Sequence, residues 1–504
     1  MLAMAALGVA GPFVLRSTPA DAAVQPFGEH TVDDIARQLA RQPYRAPDRS
    51  LPPPLAKLDY DQYRSIRFDR RQAFWKDQGG RFIGDLLMRG WMAPDHVEVF
   101  LVEGRSARPV SYSPDLFSFP ADVPPASDPN LGFSGVRLLS PLNRPDVMDE
   151  IAVFQGASYF RSLGKGNLYG ISARGLSIGT GGPAEEFPLF RTFWLERPAP
   201  GADAVTVHAL LDSPSVAGAY RMRIRPGDTT VFDVKARLYP RRAVQTPGVA
   251  AMSSMFFIGS ASRRRFDDFR ASVHDSDGLE IWTGSGERLW RPLNNPSALQ
   301  ISAFADVNPR GFGLMQRQRS LDAYSDLEAR YDLRPSLWVE LIGKWGKGSV
   351  QLLEIPTGDE TADNIAAYWR PAAEWQAGVP VEIAYRLHWG NDSPIPRAAA
   401  RVAVTRVGET RIGTVVDGRR HFAVDYEGSG LGTAMTSLRV HLSASIGKLS
   451  PPRLDPYPAR EGFPDRVRVS FDFTPPERGT AELRLELRRD GAALGEIWLN
   501  RYSI

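Results

Sequence analysis

The sequence predicts an all-β protein, with a large N-terminal antiparallel β-sandwich followed by a smaller, immunoglobulin-like β-sandwich. Three observations carry that prediction. From Asp61 onward, apolar residues come in short alternating or β-branched runs separated by Gly, Pro, Asp or Asn. Helical periodicity is nearly absent beyond residue 42, so the regular crossover helices that a parallel sheet requires are missing. The 504 residues also exceed what one core ordinarily organises, which calls for two or more domains.

Residues 2–15 form an apolar run ending at Arg16, followed by the small-x-small pattern Ala20-Asp21-Ala22. The run is shorter than the ~20 residues of a membrane span and reads as a signal-peptide remnant, residues 1–23. The basic segment that usually opens such a leader is missing, as expected of a start internal to a longer leader. The mature chain is therefore expected outside the cytoplasm, with no stable membrane insertion. Thr31–Gln42 carries Val32, Ile35 and Leu39 at helical spacing and predicts a short amphipathic helix with Thr31 as N-cap. After the proline-rich Leu51–Leu55, strands are predicted at 62–68, 81–88, 96–103, Val205–Leu211, Ala219–Ile224, Thr229–Leu238, Ser349–Ile355 and Val381–His388, with a turn at Arg225-Pro226-Gly227-Asp228. The polar, proline-containing 391–396 breaks the pattern. Beyond it, runs at Arg401–Arg406, Arg420–Tyr426, Leu438–Ser445, Val467–Phe473, Thr480–Arg488 and Ala493–Tyr502 give the strand density of an immunoglobulin-like sandwich. The expected domains are 24–392 and 398–504.

Composition excludes several chemistries. The 61 basic residues are interspersed with 58 acidic ones rather than gathered into a tract, so no nucleic-acid partner is expected. Without cysteine there are no disulfides, thiolate metal sites or cysteine nucleophiles. None of the seven histidines is spaced H-x-H or H-x-x-x-H, and neither metal nor cofactor is expected.

Candidate chemistry lies in two acidic clusters. Glu340–Trp369 holds Asp359, Glu360 and Asp363 beside Trp345, Tyr368 and Trp369, with Trp338 and Arg334 just upstream; His274-Asp275-Ser276-Asp277-Gly278 forms the second cluster. Carboxyls beside aromatic rings suit sugar cleavage, since the acids move protons and the rings stack on pyranose faces. The bland reading makes the acids loop caps and the indoles core, and at least two of the aromatics are expected to be only that. Gly175–Gly179 matches G-x-S-x-G, but the following GTGGPAEEFP cannot start the helix a nucleophile elbow needs. The 275–278 turn lacks the glycine and glutamate spacing of a calcium loop. Gly164–Gly170 and Gly343–Gly348 fit no nucleotide fingerprint.

These segments sit within long distinctive strings: LDYDQYRSIRF at 58–68, GASYFRSLG at 156–164, YGISARGLSI at 169–178, EEFPLFRTFWLERP at 185–198, ALLDSPSVAGAYRMRIRPG at 209–227, HDSDGL at 274–279, RPLNNP at 291–296, GFGLMQRQR at 311–319 and EIPTGDETADNIAAYW at 354–369. On them the chain resembles the periplasmic glucan biosynthesis proteins of the OpgG/OpgD (MdoG/MdoD) family, closer to the glycoside hydrolase-like D-type. The resemblance implies a carbohydrate-active, mutarotase-like sandwich and an immunoglobulin-like domain, a periplasmic location, and a role in making osmoregulated periplasmic glucans. It further implies cleavage inside β-1,2-glucan chains with inversion. Carried over, Asp363 is the general acid with Glu360 and Thr361 beside it, Asp275 the general base, and Tyr331 a proton relay. Trp338, Trp345, Arg334, Trp369, Asp277 and Lys344 are expected to bind substrate. Lys344 stands where the family usually has an acid, a departure expected to lower neighbouring carboxylate pKa values. Water as acceptor gives hydrolysis; a hydroxyl of the same chain gives a cyclic glucan. The alternative is a non-catalytic glucan-binding scaffold, and a homodimer is compatible with either.

Overall fold

A computed structural model describes residues 24–76, 79–262, 266–409, 418–432, 435–457 and 465–503. The leader expected at 1–23 lies outside the described residues. The fold is all-β, built from large sheets. The single long helix among the described residues, Thr31–Ala40, buries Val32 and Ala36 against Phe100, Trp194, Leu210 and Tyr239 on the outer face of the largest sheet. Its cap differs from expectation: the Thr31 hydroxyl accepts the Gly28 N–H at 2.8 Å instead of capping the following turn.

The strand expected at 62–68 is mostly helix, Tyr60–Ser65. The Asp59 carboxylate accepts the Gln62 N–H (2.9 Å), and the Gln62 side chain accepts the Asp59 N–H in return (3.2 Å). This reciprocal capping box outweighs the alternation of the segment, leaving only Arg67–Phe68 to pair with Phe117–Ser118.

Two sheets form the main sandwich. The larger, sixteen-stranded among the described residues, runs through the meander Val205–Asp212, Val216–Arg225, Thr230–Pro240 and Val381–Gly390, then through Ser336–Ile342, Gly311–Met315, Gly278–Trp282 and Arg288–Pro292. The nine-stranded sheet facing it has the order Gln300–Val307, Lys347–Glu354, Ile365–Pro371, Pro247–Ser254, Ser172–Ile178, Tyr159–Ser162, Met148–Gln155, Gly135–Pro141 and Ile83–Leu87. Alternation sends one set of side chains inward. Phe154 and Phe160 of the smaller sheet meet Phe193, Phe232 and Trp389 of the larger, with Phe160–Phe232 centroids 5.8 Å apart and Phe232–Trp389 4.8 Å. The opposite face of the smaller sheet is left for the site. Ser177 of the G-x-S-x-G string lies fully buried within Ser172–Ile178, and no helix follows.

Among the described residues pairing is antiparallel almost throughout, with two exceptions that sequence did not signal. Leu189–Glu196 runs parallel to Glu98–Glu103, and Arg288–Pro292 runs parallel to Glu496–Ser503. Through the second, the C-terminal strands Glu496–Ser503, Thr480–Arg489 and Leu438–Ala444 continue the large sheet. A five-stranded sheet, including Arg401–Glu409, Arg420–Glu427 and Arg466–Thr474, packs over them through Phe422, Phe471 and Trp498. Trp290, Met315 and Trp338 from the first sandwich belong to this same second core.

A buried ionic cluster pins that junction. The Arg317 guanidinium donates to both oxygens of Glu496 (2.8 and 2.7 Å), to Glu280 (3.3 Å) and to the Val402 carbonyl (2.7 Å), while lying over the Trp290 ring. Burial, the largest influence on Arg317, lowers its pKa, but the Glu496 and Glu280 charges together raise it above normal. Burial raises Glu280.

Candidate active site

Asp275 sits in the turn between Val273–His274 and Gly278–Trp282, held by its own N–H to the Met255 carbonyl at 2.8 Å. Arg334 comes from the short 3-10 turn Tyr331–Leu333 and its cap; Arg330, at φ +47°, bends the chain into that turn. A three-residue spacing in a 3-10 turn puts Tyr331 and Arg334 on one side, with the guanidinium 5.1 Å from the Tyr331 ring centre. Arg334 donates to the Ala329 carbonyl (3.2 and 3.1 Å) and brings its remaining nitrogen to 3.2 Å from Asp275 Oδ1. That oxygen is buried and carries no hydrogen bond. Gly170 makes room, since a Cβ there would lie 3.1 Å from Arg334 and 3.3 Å from the Asp275 carboxyl carbon.

Asp363 precedes the strand Ile365–Pro371 and starts no helical turn. Arg161, from Tyr159–Ser162, approaches it to 3.7 Å and is itself fixed by donating from Nε to the Ser172 hydroxyl at 2.6 Å. The Asp363 side chain is 37% exposed yet surrounded on most sides by protein, the circumstance of a group in an open recess. Partial desolvation raises its pKa, opposed by Arg161 and Arg334. Asp275 is more deeply buried, and burial pushes it up to about 6; Arg334 and Arg161 oppose the rise, and the charge of Asp363 adds to it. The two distant acids thus converge, each sensing the same two guanidiniums. A carboxyl poised near neutrality can give or take a proton, which is the requirement for acid–base work.

Around them, the Tyr331 hydroxyl donates to Glu360 at 3.0 Å, and Arg270 donates to Glu360 (2.7 Å), Asp326 (2.8 Å) and Asp268 (2.8 Å). Burial and the Glu360 charge raise Tyr331. In this state the phenol is a neutral donor turned toward Glu360. Tyr331, Arg334, Glu360, Asp275 and Asp363 are therefore neighbours.

Other expected residues lie elsewhere. Trp338 and Trp369 are 1% exposed and belong to the two cores, with Gly311 and Gly313 against Trp338 and Gly348 against Trp369; neither ring offers a face to a sugar. Trp345 and Lys344 form the hairpin tip before Lys347–Glu354, whereas Asp363 follows that strand. Eight residues of strand separate them by roughly 25 Å. Trp345 packs edge-on to Tyr385 and donates to the Ala384 carbonyl, and Lys344 is absent from the charges acting on Asp275 or Asp363. Asp277 faces away from Asp275: its Oδ2 accepts the N–H groups of Arg317 and Gln318 (3.1 and 3.2 Å). Thr361 is an exposed brace whose hydroxyl donates to Asp359 at 2.6 Å. Sequence reasoning missed Arg161, Arg270 and Gly170. Arg161 lay inside a quoted string, but nothing set it apart from the other basic residues.

Comparison with known proteins gives the family of the chain. Residues 27–502 match the family described as periplasmic glucan biosynthesis protein, MdoG. The chain is 50% identical over 480 residues (95% of it, 94% of the relative) to glucans biosynthesis protein G of Rhodopseudomonas palustris strain BisA53. It is 48% identical over 479 residues (95% and 93%) to the protein of that name from Bradyrhizobium diazoefficiens. The Vibrio cholerae protein of that name, strain O395, is 48% identical over 482 residues (95% and 87%). Carrying the family's pattern across nearly its whole length, the chain belongs to the MdoG family of periplasmic glucan biosynthesis proteins.

Proposed function

We propose that this protein acts in the periplasm on linear β-1,2-glucan, cleaving internal β-1,2-glucosidic bonds with anomeric inversion. Asp363 protonates the departing glycosidic oxygen, and Asp275 accepts a proton from the attacking hydroxyl group. The observation that carries this reading is the convergence of two carboxyls, both raised by desolvation, in one recess with two arginines. An inverting site holds its nucleophile between such a pair, commonly ~6.5–9.5 Å apart, or farther where a relay intervenes; Tyr331 would serve as that relay once its hydroxyl leaves Glu360. Water gives a shorter glucan, and a hydroxyl of the same chain gives an α-linkage and a ring. Proton NMR of the anomeric region after incubation with linear β-1,2-glucan separates the two products. Unchanged spectra throughout would reject the enzyme and leave a glucan-binding scaffold, a reading favoured by the arginine beside each acid.

Because burial lifts Asp275 to about 6, the reverse assignment of roles has its own support. A dinitrophenyl leaving group needs no protonation, so a dinitrophenyl β-1,2-gluco-oligosaccharide discriminates. Asp363→Asn is expected to turn it over within about tenfold of the parent, and Asp275→Asn about 10²-fold more slowly; the opposite pattern swaps the roles. One limb of the kcat/KM profile is expected near pH 6 and is lost in Asp275→Asn. Gly170→Ala is expected to displace Arg334 and lower kcat several-fold with an unchanged circular dichroism spectrum; parental kcat would remove Arg334 from the mechanism.

A further inference from the structure

On the open face of the nine-stranded sheet, register lines up Asp85, Arg137, Val153, Arg161 and Ser172 on successive strands. Residues paired in this way project to the same side. Arg161 belongs to the carboxylate recess; Arg137 lies two strands farther on, about 10 Å away. There the chain opens a second cavity, about 660 Å³ in volume, which the glucan reading does not use. Its wall comes largely from the segment whose strand prediction failed. Arg64 lies in the last turn of the capped helix, Arg67 sits on the two-residue strand and Arg70 opens the next 3-10 turn, so three guanidiniums at three-residue spacing border one concavity. Tyr63, Phe68 and Arg137 complete the part of the lining that matters here.

The charge in this cavity is unbalanced. Arg137 is neutralised within the wall by Asp85 (2.7 and 2.8 Å) and Glu150 (3.1 Å). Among the described residues, Arg64, Arg67 and Arg70 have no ion-pair or side-chain hydrogen-bond partner, and the lining contains no carboxylate. The neighbouring Asp69 is engaged with Arg71, and Asp59 with the helix cap. Three like charges around one hollow repel one another unless an anion sits between them. Guanidinium forks match the paired oxygens of phosphate and carboxylate groups. The Tyr63 hydroxyl is already committed, donating to the Met88 carbonyl (2.9 Å) and accepting from Gln155 (2.8 Å), so the recognition falls to the arginines.

We propose that this cavity is a binding site for a small anion bearing a phosphate or carboxylate group. The site stands beside the carboxylate recess but does not depend on the glucan reading, because it rests on charge and shape alone. Its test is equilibrium dialysis of the full chain against radiolabelled inorganic phosphate, with malonate as competitor, at low ionic strength. Sub-millimolar binding at one site per chain is expected, displaced by malonate. It should weaken by at least about tenfold in Arg67→Gln/Arg70→Gln and stay unchanged in Arg161→Gln, whose arginine serves the other recess. No retention at ~10 mM phosphate, parental retention by the double variant, or loss in Arg161→Gln instead would overturn the proposal. A parallel arm offers phosphatidylglycerol vesicles. Co-sedimentation that needs Arg67 and Arg70, without retention of free phosphate, would give the cavity to a lipid headgroup and likewise overturn the soluble anion. Arg67 and Arg70 are exposed and unpaired among the described residues, and Arg161 is exposed, so the variants are expected to fold, and parental circular dichroism spectra verify it.

Discussion

Asp363→Asn is expected to lower kcat on linear β-1,2-glucan by about 10²–10⁴-fold, the usual contribution of a positioned proton donor. Asparagine keeps the size of the side chain and a partner for Arg161, so the loss should fall on kcat and leave KM within about threefold. Asp363 raises Asp275 whenever it is ionised, and asparagine removes that ionised form. The Asp275 limb of the pH–rate profile should therefore move below pH 6 in this variant. Both readouts matter, because an amide that merely disturbed the loop 355–364 would change KM and leave the limb in place. Retention of parental kcat would sink the assignment of Asp363 altogether.

The second large effect is on stability. Arg317→Met is expected to cost about 3–5 kcal/mol at pH 7, the range for removing one partner from a buried ionic cluster. The methionine can fill space over Trp290 but leaves Glu280 and Glu496 facing each other at 3% and 2% exposure. The pH dependence has a definite sign. Burial already raises Glu280, and removing the cation raises it further. A carboxyl whose folded pKa exceeds its unfolded value favours the folded state fully below the unfolded pKa and loses that contribution as pH rises through the folded one. The deficit of Arg317→Met should thus shrink from pH 7 toward pH 4.5 in urea unfolding followed by tryptophan fluorescence. A deficit that is constant over that range would attribute the loss to packing instead of charge.

Much of this architecture was legible in the sequence because strands report themselves locally. Alternation found the meander 205–240 and the strands around 349 and 381 to within a few residues, since a half-buried strand must repeat with period two. The 62–68 error shows the limit: a reciprocal cap at Asp59 and Gln62, four side-chain and backbone atoms in all, overrode a pattern spread over seven residues. Parallel pairing was invisible, because direction is set by partners far apart in the chain, Glu98 beside Thr192 and Arg288 beside Glu496. The site divided along similar lines. Asp275 and Asp363 were legible through the strings that carry them, Tyr331 through the family resemblance and Arg334 through its place just upstream of the aromatic cluster, whereas the tryptophans misled. An indole near an acid in sequence has no obligation to share its space, and Trp338 and Trp369 lie beneath glycines that let strands close over them. Arg161 could be found only by knowing which strands are adjacent.

The parallel contact of Arg288–Pro292 with Glu496–Ser503 also bears on biogenesis. During synthesis the residues after position 292 emerge while the outer border of this strand has nothing to bond to, and Trp290 waits for the later residues that share its core. Residues 496–498 are the ones that close it, so a chain cut short before position 496 should expose a sticky sheet margin and precipitate instead of persisting in solution.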